Sequence, residues 1–141
     1  MPRRKSVKPR PPERDYSHRS LLDKLGVKPS QRICVLGIND PAFEQDLAAI
    51  VPDAERDDLG KGADLIFLAV NDLKALERIK SLEASIKPNG AIWVVYPKGQ
   101  KHVREVDVIA AGKSAGLTDN KVCRFSETHT ALRLVIPLAR R

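Results

Sequence analysis

Aromatic residues are scarce. Phe, Tyr and Trp together make up 4% of the 141 residues, so any core must be aliphatic. There are only two cysteines, Cys34 and Cys123, and neither belongs to a CxxC pair, which argues against a zinc site. Both have apolar neighbours and read as small core residues of a cytoplasmic protein rather than as a disulfide. Long apolar runs are missing as well. A membrane span needs about 20 apolar residues, whereas Leu65–Val70 is typical of the runs here. The N-terminal stretch MPRRKSVKPRPPERD has no apolar segment that would serve as a signal peptide. These features predict a cytoplasmic chain with no membrane partner.

Excess charge is missing where a nucleic-acid-binding domain would need it. The net charge is +7, but it is not spread evenly. Of 25 basic residues, seven lie in 1–20 and two are Arg140 and Arg141; of 18 acidic residues, two lie in 1–20. The stretch 21–139 therefore holds 16 of each and is neutral. Residues 1–15 carry four prolines, many charges and almost nothing apolar, and read as a disordered basic tail. Such a tail solubilises the chain or touches a polyanion such as nucleic acid. Its basic residues have no aromatic ones between them, so base stacking has nothing to use.

From residue 16 to 139 the sequence reads as one domain. Leu21, Leu22 and Leu25 make the apolar side of a short helix between Ser20 and Gly26. Ile33–Leu36, Ala63–Val70 and Ala91–Tyr96 are continuous apolar runs, which suit strands buried on both faces. Asp40 caps a helix with Pro41 in its first turn and Phe43, Leu47 and Ile50 on one face. Asn71-Asp72 opens a second helix, with Leu73, Leu76, Ile79 and Leu82 at three-residue spacing, and Lys87–Gly90 stops it. Val103, Val106, Ile109 and Ala110 mark a third. Residues 53–62 are polar, and any strand there is weak or missing. Val122–Phe125 and Thr130–Ile136 form a closing hairpin around Ser126–His129. The order predicts an α/β, Rossmann-like fold: a mainly parallel sheet with helices on both faces and a C-terminal antiparallel hairpin. Trp93 reads as core, and its indole N–H then needs a partner.

The segment Leu82–Val95, with Lys87-Pro88-Asn89-Gly90 at its centre, is similar to the step into the fifth strand of class I S-adenosylmethionine methyltransferases. Those enzymes also end in an antiparallel hairpin. Residues 16–136 resemble an uncharacterised bacterial family, the domain of unknown function numbered 3052. The resemblance runs through Tyr16-Ser17, Leu22–Val27, Ile33–Gly37, Ala63–Val70, Ile92–Lys98 and Gly116–Leu134. It implies a compact methyltransferase-like domain and no particular activity.

A methyltransferase places a glycine-rich loop after its first strand, where the backbone passes close to the cofactor. Here that loop, Gly37-Ile38-Asn39-Asp40-Pro41, has one glycine and a proline. The acidic partner expected at the end of the second strand is Asp53, Asp57 or Asp58, and the sequence does not choose among them. His18, His102 and His129 share no metal-ligand spacing. No GxSxG elbow exists, and Gly60-Lys61-Gly62 lacks the spacing of a phosphate loop. Ser126–His129 reads as a polar turn. Ligands of open α/β sheets bind beyond the carboxyl ends of the strands, so the candidate crevice residues are Gly37, Asn39, Asp40, Asn71 and Lys98. No catalytic residue and no metal ligand is assigned. The leading expectation is a non-catalytic binding or accessory module that needs no cofactor. One alternative is a divergent S-adenosylmethionine-dependent methyltransferase or nucleotide-binding enzyme. Another is a nucleic-acid-associated protein acting through residues 1–15.

Overall fold

A computed structural model describes residues 21–57 and 60–141. The basic tail over 1–15, the Ser20 cap and Asp58 lie outside the described residues.

The three apolar runs form the centre of a six-stranded sheet. The strands are β1 (Ile33–Leu36), β2 (Glu55–Arg56), β3 (Ala63–Ala69), β4 (Ile86–Pro97), β5 (Thr118–Arg124) and β6 (His129–Val135). Their spatial order is β2-β1-β3-β4-β6-β5. β2, β1, β3 and β4 are mutually parallel, while β6 runs antiparallel to β4 and to β5. This is the mainly parallel sheet with a closing antiparallel hairpin that the apolar runs predict.

Alternating side chains of the central strands feed two separate cores, which is why the runs are apolar at every position. Ile33, Val35, Phe67 and Trp93 face helix α1 (Pro41–Ile50), with its Phe43 and Leu47. Leu22, in a helical turn over 21–24, and Leu25, directly after it, join that core, and Gly26, at φ +77°, closes the turn. Leu36, Ile66, Leu68 and Ile92 face the other way, toward α2 (Arg78–Leu82) and α3 (Glu105–Ser114).

Three local readings change. The second helix is mostly not α-helical: 3₁₀ turns at Lys74–Glu77 and Glu83–Ser85 flank the five residues of α2. Leu76, in the first 3₁₀ turn, and Ile79 and Leu82, in α2, are buried, while Leu73, which precedes the first turn, stays 54% exposed. Lys87–Gly90 does not simply stop a helix. It bulges within β4, which pairs Ile86 with Ala63 and then Ala91 with Leu65. In α3 the buried residues are Val108 and Gly112, and Val106 is 61% exposed. The helix starts only at Glu105, so Val103 packs from the preceding loop and Val106 falls on the outer side.

β2 is only two residues long, and side chains hold it in place. Arg32 pairs with Glu55 at 3.3 Å and donates to the Lys61 carbonyl at 2.9 Å, and Arg56 pairs with Glu44 at 3.0 Å. Among the described residues, no helix is long and apolar enough to cross a membrane.

Candidate functional site

The chain leaves β1 for β2 on one side, then returns to place β3 on the other side of β1. The carboxyl ends of β1 and β3 therefore diverge at a topological switch point, where open α/β sheets bind their ligands. A cleft of about 190 Å³ opens at this place.

Its floor is apolar: Ile38, Ala69, Val95 and Phe125. Its polar rim comes from two sides. Gly37, Asn39, Asp40 and Asn71 lie on the loops after β1 and β3, and Ser126, Thr128 and His129 lie on the turn between β5 and β6. Four of the five candidate crevice residues thus stand together. The fifth, Lys98, is not among the lining residues; its backbone N–H donates to the Thr128 carbonyl at 2.9 Å and ties the hairpin turn to the end of β4.

Each polar group has a local reason for its position. Asp40 caps α1, its carboxylate accepting from the Phe43 N–H at 3.1 Å. Asp72 accepts from the Ala75 N–H at 2.8 Å and opens the 3₁₀ turn, which leaves Asn71 as the exposed residue just past β3. Gly37 has φ +74°, a conformation that glycine adopts without strain. A Cβ there would lie 3.6 Å from that of Ala69, an ordinary contact, so conformation rather than space calls for glycine.

The structure also distinguishes the acidic candidates after β2. Asp57 donates its backbone N–H to the Val35 carbonyl at 2.8 Å, and its carboxylate accepts from the Gly37 N–H at 3.2 Å. It thereby clamps the end of β1 from the β2 side. Its φ of +53° is one that aspartate tolerates better than most residues. Asp53 lies earlier, in the turn that precedes β2.

The hairpin turn is the part of the site that sequence reading missed. Ser126 Oγ accepts from the backbone N–H groups of Thr128, at 3.3 Å, and His129, at 3.1 Å. It also lies 3.3 Å from Thr128 Oγ1, which is 2.8 Å from His129 Nδ1. Of the β5–β6 hairpin only β6 pairs with β4, and the pairing of Pro97 with His129 carries the turn over the strand ends. The signal in the sequence was the cluster of Ser, Thr and His itself. Tyr96, one residue after the floor residue Val95, faces the opposite core. Burial raises its hydroxyl above the ordinary value, and Glu105 adds to the effect. Among the described residues, no group of three or more His, Cys, Asp or Glu side chains could hold a metal ion.

Several solved structures share this architecture. A SAM-dependent methyltransferase from Aquifex aeolicus superposes with a TM-score of 0.66 over 85% of this chain and 89% of its own, at 14% identity. A TehB-like SAM-dependent methyltransferase from Corynebacterium glutamicum gives 0.57, 85%, 87% and 14% in the same order. Magnesium protoporphyrin IX methyltransferase from Synechocystis, solved with bound SAH, gives 0.57, 88%, 85% and 11%. No family model matches the chain, so the resemblance to the uncharacterised family numbered 3052 has no such support. No curated protein matches its sequence. At these identities the likeness concerns the fold, and the fold is the Rossmann-like α/β fold of class I methyltransferases.

Proposed function

We propose that the chain is a divergent S-adenosylmethionine-binding protein of the methyltransferase type, with the cofactor held across the carboxyl ends of β2, β1 and β3. The observation that carries this reading is the Asp57–Gly37 contact beside the cleft. A carboxylate next to a positive-φ glycine suits a ribose: the glycine lets the backbone approach and the acid accepts from hydroxyl groups. Asp57 lies on the β2 side of Gly37, outside the cleft lining, so the nucleoside end would rest there. The small cleft would receive the methyl acceptor, with the cofactor's reactive end at its mouth. The bound group would supply an electrophilic methyl; the chain's own residues bind it, orient it and shield it from water.

Support comes from the shared fold of the methyltransferase neighbours, some solved with SAM or SAH. The test is calorimetric titration of the full chain with S-adenosylmethionine and S-adenosylhomocysteine. Saturable binding that is lost in Gly37→Arg supports the reading.

A second reading, a cofactor-free binding or accessory module, is favoured by the single glycine after β1 and by the cleft volume. Small-molecule sites usually enclose about 300–1,000 Å³, more than this cleft holds. Absence of heat with both S-adenosyl compounds, and no rise in melting temperature at millimolar ligand, would favour the module. Contact with a polyanion through residues 1–15 stays a separate proposal. It predicts binding that weakens steeply with salt and disappears when those residues are deleted.

A further inference from the structure

We propose that the cleft between the β1 loop and the β5–β6 turn binds a small single-ring phenol, with His129 accepting the phenolic hydrogen. This deepens the reading above by naming the methyl acceptor's class. It rests on that reading for group transfer only, because phenol binding is measured without a cofactor.

Size is the first argument. A cavity of about 150 Å³ admits one benzene ring, and this cleft is about 190 Å³. One ring with one or two substituents fits it. Polarity is the second. The floor of Ile38, Ala69, Val95 and Phe125 is apolar. Phe125 is itself braced by Phe43, the ring centroids 5.0 Å apart, so the floor is a fixed surface for an aromatic face. The rim is polar on both sides, with Asn39, Asp40 and Asn71 on the β1 and β3 loops and Ser126, Thr128 and His129 on the hairpin. A ligand with an apolar body and one protic group matches that division.

The hairpin turn is the third argument, because it orients a proton acceptor. Ser126 Oγ receives two backbone N–H groups, which occupies its lone pairs and fixes its position. Thr128 Oγ1, 3.3 Å from it, sits 2.8 Å from His129 Nδ1. We assign His129 the tautomer in which Nδ1–H donates to Thr128 Oγ1, which makes the second ring nitrogen, Nε2, the acceptor. A hydrogen bond on one ring nitrogen sets the role of the other. This is the arrangement of an acid–base imidazole steadied by a neighbouring hydroxyl. Asp40, which also lines the cleft, has one carboxylate oxygen engaged by the Phe43 N–H at the N-cap of α1; His129 is the acceptor that the hairpin network braces.

The experiment is an amide NMR titration of the full chain, without cofactor, using phenol, anisole and benzene as probes. Phenol is expected to shift Gly37, Asn71, Phe125 and His129 saturably, and to bind about tenfold more tightly than anisole or benzene, the size of one hydrogen bond. His129→Phe, which keeps a ring at the rim, should abolish that preference while benzene binding persists. Thr128→Val should reduce the preference by freeing the imidazole to adopt its other tautomer. Equal affinity for all three probes in the wild type overturns the proposal, as does a phenol-shifted set lying elsewhere on the sheet. If His129→Phe does not fold, the wild-type selectivity and Thr128→Val decide. Failure of S-adenosylmethionine binding in calorimetry with phenol selectivity intact would sink the methyltransferase reading and leave the phenol site standing.

Discussion

The indole N–H of Trp93 donates to the carbonyl oxygen of Leu25 at 2.9 Å, joining the middle of β4 to the end of the N-terminal helical turn. Both residues are almost fully buried. The bond satisfies a donor and an acceptor that would otherwise be orphaned in the core. Lys121 makes a parallel contact from β5, donating to the Lys24 carbonyl at 2.9 Å. The turn is thus held by its carbonyl oxygens as well as by Leu22 and Leu25. Trp93→Phe should lose about 2 kcal/mol, part from the unpaired Leu25 carbonyl and part from the space left behind. Urea unfolding measures it, and a loss under about 0.5 kcal/mol would mean that the bond matters little.

Two glycines matter for different reasons. Gly90 lies in the bulge of β4, and a Cβ there would come within 2.8 Å of the Ala63 carbonyl oxygen and 3.0 Å of that of Asp64. Those atoms are backbone and cannot swing away, so Gly90→Ala should cost about 1–3 kcal/mol through displacement of β4 from β3. Gly26 has open space around it but a φ of +77°. Gly26→Ala should cost about 1 kcal/mol of backbone strain, and Gly26→Asn should cost less, because asparagine visits this region more readily. Equal costs for alanine at the two sites, with no benefit from asparagine, would contradict this division.

Asp57→Asn keeps the side chain's shape and its tolerance of positive φ but removes the charge. Stability should change by less than about 0.5 kcal/mol, since the contact is exposed. Affinity for S-adenosylmethionine should fall about tenfold, because a charged acceptor is lost from the ribose side. Calorimetry on the variant and the wild type gives both numbers. Unchanged affinity would place the ribose away from Asp57.

Stability should fall in alkaline solution. Burial raises the Cys123 thiol above its ordinary value near 9, and nearby Lys121 and Lys24 partly offset this. Burial, then Glu105, raises the Tyr96 hydroxyl above its ordinary value near 10. In each case the unfolded chain releases the proton first. Their contribution is therefore fully present below about pH 9 and is lost as pH rises through the raised values. Urea midpoints between pH 8 and 11 should decline, and the double variant Cys123→Ser, Tyr96→Phe should flatten the decline. A wild-type midpoint that rises over this range would reverse the sign.

Much of the fold is legible in local pattern. The runs Ile33–Leu36, Ala63–Val70 and Ala91–Tyr96 are apolar at consecutive positions because each strand faces a core on both sides. Asp40-Pro41 is a cap and first-turn pair wherever it sits, and it starts α1 as its chemistry predicts. The crevice at the strand ends follows from the α/β order, and four of its candidate residues line the cleft. Local pattern does not decide contacts that depend on register. The two residues of β2, Glu55 and Arg56, carry no apolar run, and Arg32 and Glu44 from elsewhere in the chain hold them at the edge of the sheet. Asp57 and Asp53 look alike in sequence; only the strand pairing sets Asp57 against Gly37.

The sequence by itself determined the class of fold, the neutral body with its charge at the two ends, and the edge of the sheet where a ligand would bind. These depend on side-chain chemistry repeated over short windows. The tertiary structure decided which side chains meet there. His129 and Asn71 are 58 positions apart, and they share a cleft because the antiparallel register of β6 on β4 places His129 beside Pro97. A shift of one residue in that register would turn every side chain of β6 to the opposite face, and no local pattern specifies it.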